Sequence, residues 1–382
     1  MKIGYDISQT SSNPAGCGYY ADIFYQKLRL NNEINVRGYR SFGDLFYDKS
    51  FNEGYMNGII NSVWANDFTH RSHSDCLFFW SKETFNKKNY EQLGSPDIIH
   101  SNNFFSPPTN NYCKSVYTLY DLSFYANPSW TSEANWFVCS NGVFDASYNA
   151  DHIVTISEFS KNSFLELFPN FDQNNISVVY PTSRFENYTV SRSFAGIKAL
   201  INKDFFISVG TLEPRKNHIA ILEAYRVFVK NFRGIPPLLV LVGGKGWLFK
   251  KTNDFIKNNN LGKHVIFTNY VSDDELFWLY KNCILNIYFS FYEGFGMPIL
   301  EALSANALTV VSAIEPFGEL FGSAVIRAES NEGNFLADLL NLVVKSPHQF
   351  NHLKKNNLEL KRKFDLDANV EKLINIYKKL SK

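Results

Sequence analysis

The chain has 382 residues, 45% of them hydrophobic, which is long for a single domain and suits two cores. Its 38 basic and 37 acidic side chains nearly cancel, leaving a net charge of +1 and no global attraction for nucleic acid or for an acidic partner. The cysteines (Cys17, Cys76, Cys113, Cys139 and Cys283) are dispersed without CxxC spacing, a pattern of reduced thiols rather than of a disulfide frame or a zinc site.

The first residues, MKIGYDIS, contain no apolar run of signal-peptide type, and no stretch is apolar for long enough to span a bilayer. A cytoplasmic location is expected on these grounds. Residues 2–7 read as a short strand, 8–18 as a loop rich in Ser, Asn, Pro and Gly, and 19–28 as a helix. Gly16 and Gly18 fall in a GxGxxA match. The loop before Gly16 is too long for the tight turn of a dinucleotide fingerprint, which argues against a dehydrogenase. Residues 45–95 are aromatic-rich (Phe46, Tyr47, Trp64 and Trp80 among others) and show no clear period.

Four more strands follow, at 96–100, 115–119, 153–156 and 176–180. Each ends in polar residues, and Ser157 is placed to cap the helix after the third. Repeated strand, polar turn and helix predict an α/β architecture with a doubly wound parallel sheet. Such sheets bind ligands at the carboxyl ends of their strands, where His100, Asn102, Tyr120 and Asp121 would lie.

Residues 184–203 are polar and aperiodic, and read as a linker. A second series of strands starts at 205. There Gly210, Thr211, Arg215 and Lys216 stand between a strand and the helix at 219–232. Two cations at a helix start oppose its dipole, so an anion such as a diphosphate would account for them. A buried strand at 238–242 leads into Gly243 and Gly244. Residues 265–267 lead to Tyr270 and Val271, and SDDE at 272–275 has the form of an N-cap with a capping-box acid.

The stretch YFSFYEGFGMPILE, residues 288–301, reads as strand, glycine loop and helix. Gly294 and Gly296 permit unusual backbone angles, Pro298 suits a first helical turn, and Asn306 can close the helix in a left-handed conformation. Backbone N–H groups from Gly294, Phe295, Gly296 and Met297 would cradle a phosphate. Glu293 and Glu301 flank them and suit sugar hydroxyls, so the stretch points to a sugar nucleotide. Helices at 334–344, 348–363 and 367–380 complete the chain.

The Glu293-x7-Glu301 pattern with its embedded GFGxPxxE resembles the signature of retaining glycosyltransferases of family 4, and GTLEPRKN at 210–217 is similar to their donor motif. The segment DIIHSNNFFSPP to ADHIVTISEFSKNSF resembles the acceptor half of mannosyl- and rhamnosyltransferases of surface polysaccharides. The resemblance implies two Rossmann-like domains facing a cleft (the GT-B fold): an acceptor domain at 1–190, a donor domain at 191–364, and a last helix at 365–382 crossing back to the first. It implies donor contacts from Gly16, Gly18, Gly210, Thr211, Arg215, Lys216, Gly243, Tyr270, Val271, Glu293 to Met297, and Glu301, and acceptor contacts from His100, Asn102 and Tyr120. Catalytic roles fall to Glu293, Arg215, Lys216, Asp121 and Tyr120, with no metal or other cofactor. Two positions depart from the family pattern: Tyr120 stands where a histidine is usual, and Thr211 where many members carry arginine. The implied activity is transfer of a hexose, mannose from GDP-mannose first, to a glycan or lipid-linked glycan, with peripheral membrane contact through such an acceptor. UDP- or dTDP-sugar donors, a nucleotide-sugar epimerase and a non-catalytic sugar-nucleotide binder are the alternatives.

Overall fold

A computed structural model describes residues 1–10, 16–39, 85–92, 94–102, 105, 108–190, 194–244, 246, 249–328, 333–353 and 357–382. The aromatic-rich segment expected at 45–95 lies mostly outside these residues, as does Cys76. The chain forms two compact units, Met1–Thr182 with Phe364–Lys382, and Ser183–Lys363.

The first unit holds strands β1 (Lys2–Asp6), β2 (Asn35–Tyr39), β3 (Ile98–Ser101), β4 (Lys114–Leu119), β5 (His152–Thr155) and β6 (Ile176–Val178). They pair in parallel in the order β2-β1-β3-β4-β5-β6. Tyr117, Leu119, Ile153 and Ile176 pack on one face against Val143 and Ala146 of the helix Glu133–Asn149 and Phe164 of the helix Glu158–Leu167. Ser157 caps the latter helix by accepting from Ser160 N.

The helix Leu366–Leu380 belongs to this first unit. Its amphipathic spacing buries Val370, Leu373, Ile374 and Tyr377, while Lys378 pairs with Glu33 at 2.6 Å and Lys27 with Asp367 at 2.5 Å. Tyr377 OH meets His100 Nδ1 at 2.5 Å, so the helix is tied into the sheet by a polar contact as well as by apolar burial.

The second unit holds β7 (Phe205–Val209), β8 (Leu238–Val242), β9 (Val265–Asn269), β10 (Leu285–Tyr288), β11 (Thr309–Ser312) and β12 (Ile326–Ala328), all parallel in the order β12-β11-β10-β7-β8-β9. Helices cover both faces, which is why these strands read as continuous apolar runs. Strand alternation divides the side chains. Phe206, Leu239, Leu241 and Ile287 join the helices His218–Asn231 and Gly333–Lys345 on one face. Phe205, Ile207, Val240 and Val242 join Leu276, Tyr280 and Ala302 on the other.

Residues 184–190 and 194–203 are not a free linker. Phe185, Ile197 and Leu200 are each 1% exposed and buried in the second core. The polar letters around them hid three anchors too far apart to register as a period. Glu315 and Pro316 lead into the short helix Phe317–Phe321. Strands β2 and β12 had no reading in the sequence; both lie at sheet edges, where one side lacks a partner and the apolar signal is diluted. Among the described residues, no helix is long and apolar enough to cross a membrane.

Candidate active site

In the second unit the strand order reverses between β7 and β10. Open α/β sheets bind ligands at such a switch point, outside the carboxyl ends of the strands. The loops leaving β7 and β10 are the ones that carry Gly210–Lys216 and Ser290–Glu293.

The backbone there is laced together. Gly210 N donates to Val242 O at 2.8 Å, Leu212 N to Gly244 O at 3.2 Å, and Gly243 N to Asn269 O at 3.1 Å. A Cβ at Gly243, whose φ is +140°, would stand 2.3 Å from Gly210 O. Only glycine allows the loops after β7 and β8 to meet this closely. A Cβ at Gly244 would stand 2.9 Å from Tyr270 OH, which places the exposed Tyr270 ring against the same loop. Val271 follows it, half-buried, and Ser272 caps the next helix in a complete capping box with Glu275, as its spacing predicts.

Pro214–Lys216 form one 3-10 turn, Asn217 is left-handed (φ 53°), and the long helix begins at His218. The two cations therefore sit in the turn before the helix, not inside its first turn. Phe291 N donates to Arg215 O at 2.8 Å, joining this turn to the loop after β10. Arg215 Nη1 donates to Glu293 Oε2 at 2.7 Å and to Tyr292 O at 3.0 Å, and its Nη2 to Glu213 Oε1 at 2.9 Å. Lys216 Nζ donates to Glu293 Oε1 at 2.5 Å and to Tyr288 OH at 2.7 Å. Ser290 Oγ donates to Glu293 Oε1 at 2.7 Å, and Ser312 Oγ, from the end of β11, holds Ser290 O at 2.6 Å.

Glu293 is 5% exposed. Burial alone would raise its pKa, but Arg215 and Lys216 outweigh it and hold the carboxyl at about 2. Lys216 shifts in the direction opposite to that of a simple ion pair. Burial and the neighbouring Arg215 lower its pKa more than Glu293 and Glu213 restore it. One carboxylate with two cations gains more than each cation does. The quartet of Glu213, Arg215, Lys216 and Glu293 is neutral as it stands, and an arriving anion would have to draw the cations from the acids.

Gly296, with φ 95° and ψ 54°, is the N-cap of the helix Met297–Ser304, with Pro298 in its first turn. A Cβ on Gly296 would approach Ile299 Cδ1 and Phe317 Cε1 to 2.9 Å each. Asn306 ends this element with φ 61°. Glu301 does not project into open solvent. It is 3% exposed and pairs with Arg184 Nε at 2.9 Å, while Arg184 Nη1 reaches Asp273 at 2.7 Å. Burial raises its pKa against the pull of Arg184. Arg184, Tyr288, Ser290 and Ser312 had no role in the sequence reading. Tyr288 and Ser290 were inside the stretch that drew attention, but Arg184 was hidden in the supposed linker.

The polar residues of the first unit are placed differently. His100 is fully buried, with Nδ1 on Tyr377 and Nε2 at 2.7 Å from Thr118 Oγ1, and burial lowers its pKa to about 3. Both ring nitrogens are used, so the expected acceptor contact is not met by its geometry. Asn102 is 1% exposed, donates from Nδ2 to Asp6 O at 3.0 Å and accepts from Thr118 Oγ1 at 2.9 Å. It too is committed to the fold. Tyr120 OH has one proton and faces two carbonyls, Asn102 O at 3.0 Å and Cys17 O at 3.2 Å. It fastens β3 and the helix Gly16–Leu28 to the end of β4 instead of offering a hydrogen to a sugar. Asp121 Oδ1 accepts from Ser123 N at 3.0 Å at the start of a short helix. Gly16 and Gly18 begin the helix Gly16–Leu28 and are not a loop. Among the described residues, no group of three or more His, Cys, Asp or Glu side chains is placed to hold a metal ion.

Comparison with known proteins finds a family match confined to the second unit. Residues 194–359 match the family described as glycosyl transferases group 1. An O-antigen chain mannosyltransferase B of Escherichia coli is 29% identical over 241 residues, 62% of this chain and 62% of that protein. The O-antigen chain mannosyltransferase RfbU of Salmonella typhimurium is 26% identical over 175 residues, 46% of each. The chain thus spans less than two thirds of the length of these curated relatives. Among solved structures, Anabaena HepE, crystallised with UDP-glucose, aligns over 100% of both chains with a TM-score of 0.74 at 19% identity, a likeness of fold. The chain thus carries two parallel six-stranded sheets of GT-B type, and its residues 194–359 are similar to the glycosyl transferases group 1 family.

Proposed function

We propose that the protein transfers a hexose from a nucleotide sugar to a growing surface glycan, with retention and without a metal ion. The observation that carries this reading is the buried convergence of Arg215 and Lys216 on Glu293 at the switch point of the second unit. A diphosphate seated there would exchange with Glu293 for the two cations. Their charge, with the N-terminus of the helix Met297–Ser304, would then stabilise the negative charge that develops as the diphosphate leaves. Glu293, released from part of its pairing, would accept hydroxyl hydrogens of the transferred sugar. Glu301 would hold ribose hydroxyls, and Tyr270 with Val271 would border the base. No protein nucleophile is assigned: the acceptor hydroxyl attacks from the leaving-group face and its proton passes to a phosphate oxygen.

The relatives named for O-antigen mannosyl transfer support mannose from GDP-mannose and an O-antigen type acceptor. HepE, solved with UDP-glucose, supports UDP-glucose as the competing donor. A thermal-shift series with GDP-, UDP-, ADP- and dTDP-sugars in EDTA tests the reading, because a ligand of the folded state raises the melting temperature by mass action. A shift with GDP-mannose, followed by mannosyl transfer to a lipid-linked glycan in EDTA, is expected. A shift that appears only with divalent metal refutes metal independence. Donor binding with neither transfer nor hydrolysis refutes the enzyme reading.

A further inference from the structure

Arg184 opens the second unit, two residues beyond Thr182, the last residue of the first unit before the chain enters the second. Its guanidinium is gripped on two sides. Nε meets the carboxylate of Glu301 at 2.9 Å, Nη1 meets Asp273 in the first turn of the helix Asp273–Asn282 at 2.7 Å, and the group lies 4.9 Å from the centroid of the Phe185 ring. A planar fork can serve two carboxylates and a ring face at once, and a lysine ammonium cannot. Anchoring this segment does not require it. Phe185 is 1% exposed and packs on Phe277 and Tyr280, and Tyr188 OH donates to Asp274 at 2.8 Å.

We propose that Arg184 is a positioning residue for the nucleoside half of the donor, holding the Glu301 carboxylate in the direction from which it receives the ribose hydroxyls. The inference rests on the reading of this site as a sugar-nucleotide site. Glu301 is buried, and it faces two charged groups, Arg184 and Asp273, and the neutral phenol of Tyr280. Asp273 repels it; Arg184 is the main group that favours its ionised form, and the Tyr280 phenol adds a smaller contribution in the same direction. Without the guanidinium, burial and Asp273 together push Glu301 towards its protonated form, and it loses an acceptor oxygen. The diphosphate half is assigned to other residues, Arg215 and Lys216, which pair with Glu213 and Glu293.

The test is calorimetric titration of the full chain and of Arg184→Met with three probes: GDP or UDP (whichever the wild type binds more tightly), its 2′,3′-dideoxy analogue, and inorganic pyrophosphate. The expected result is a loss of at least tenfold for the nucleotide, a change under twofold for pyrophosphate, and disappearance of the wild-type preference for the ribose form over the dideoxy form. Nucleotide binding by the variant should also weaken more steeply than that of the wild type as pH falls, because its Glu301 has lost the cation that opposes protonation. Nucleotide binding within twofold of the wild type overturns the inference, as does an equal loss for all three probes. If the wild type binds pyrophosphate but neither nucleotide, the reading of the site fails and the inference with it. Should Arg184→Met not fold, Arg184→Lys carries the test: a threefold loss for the nucleotide alone supports the role, and unchanged binding overturns it.

Discussion

Replacing Glu293 by Gln keeps its volume and deletes one charge from the middle of the switch-point cluster. Two independent routes give the cost. The carboxyl is held at about 2 from an ordinary 4.5, a difference equivalent to about 3 kcal/mol in favour of the folded, ionised form. Breaking a buried ion pair by removing one partner typically costs about 3–5 kcal/mol. The lower end applies, because Arg215 keeps Glu213 at 2.9 Å. Because the folded pKa is depressed, this stability is present above pH 4.5 and fades as pH falls towards 2. Urea unfolding of wild type and Glu293→Gln, followed on the transition of the second unit, should differ by about 3 kcal/mol at pH 7 and by about half of that at pH 3. The same variant should bind inorganic pyrophosphate more tightly, since its cations are no longer neutralised. A stability loss below about 1 kcal/mol that does not change with pH would refute the assignment of Glu293 as the charge that holds Arg215 and Lys216.

Lys216→Ala and Glu301→Ala should each weaken donor binding and activity at least tenfold, about 1.4 kcal/mol, by titration and steady-state assay; unchanged activity in both removes the site from these residues. Gly243→Ala places a methyl 2.3 Å from Gly210 O at a φ of +140°. Its chemical denaturation should show a loss of about 1–3 kcal/mol, together with loss of donor binding, because the two loops must part. His100 is neutral when folded, with its pKa lowered to about 3 from 6.5 by burial. The unfolded chain therefore takes up a proton first, and stability should fall as pH drops below 6.5. Between pH 7 and pH 5 the first unit should lose about 2 kcal/mol more in the wild type than in His100→Gln, and parallel pH profiles would show that this ring does not titrate as described.

The second unit was legible because its signals are local. Gly243, the SDDE cap, Pro298 and Asn306 each impose a backbone conformation that a neighbour of one to four residues betrays, and Glu293, Arg215 and Lys216 stand at strand ends where the parallel pattern places ligands. The first unit was less so. His100, Asn102 and Tyr120 also stand at strand ends, but their hydrogen bonds are made with Tyr377, Thr118, Asp6 and Cys17. Those partners lie up to 277 residues away, beyond the reach of any window read along the chain. Arg184 was missed for the same reason, since Asp273 and Glu301 declare its value only once the chain has folded. The glycines at 16 and 18 misled because glycine marks both loops and helix starts, and only the structure separates the two.

The ownership of the helix Leu366–Leu380 sets an order of assembly. The second unit, Ser183–Lys363, is inserted into the first, whose remaining piece is synthesised after it. During synthesis domains generally fold from the N-terminal side as they emerge. Here the earlier sheet has to wait. Until residues 364–382 leave the ribosome, His100 has no Tyr377 to meet and the cleft for Leu373 and Ile374 stands open to water. The inserted unit is complete before its host, so the half with the Glu293 cluster can reach its final structure while the half made first is still unsealed and exposed to chaperones.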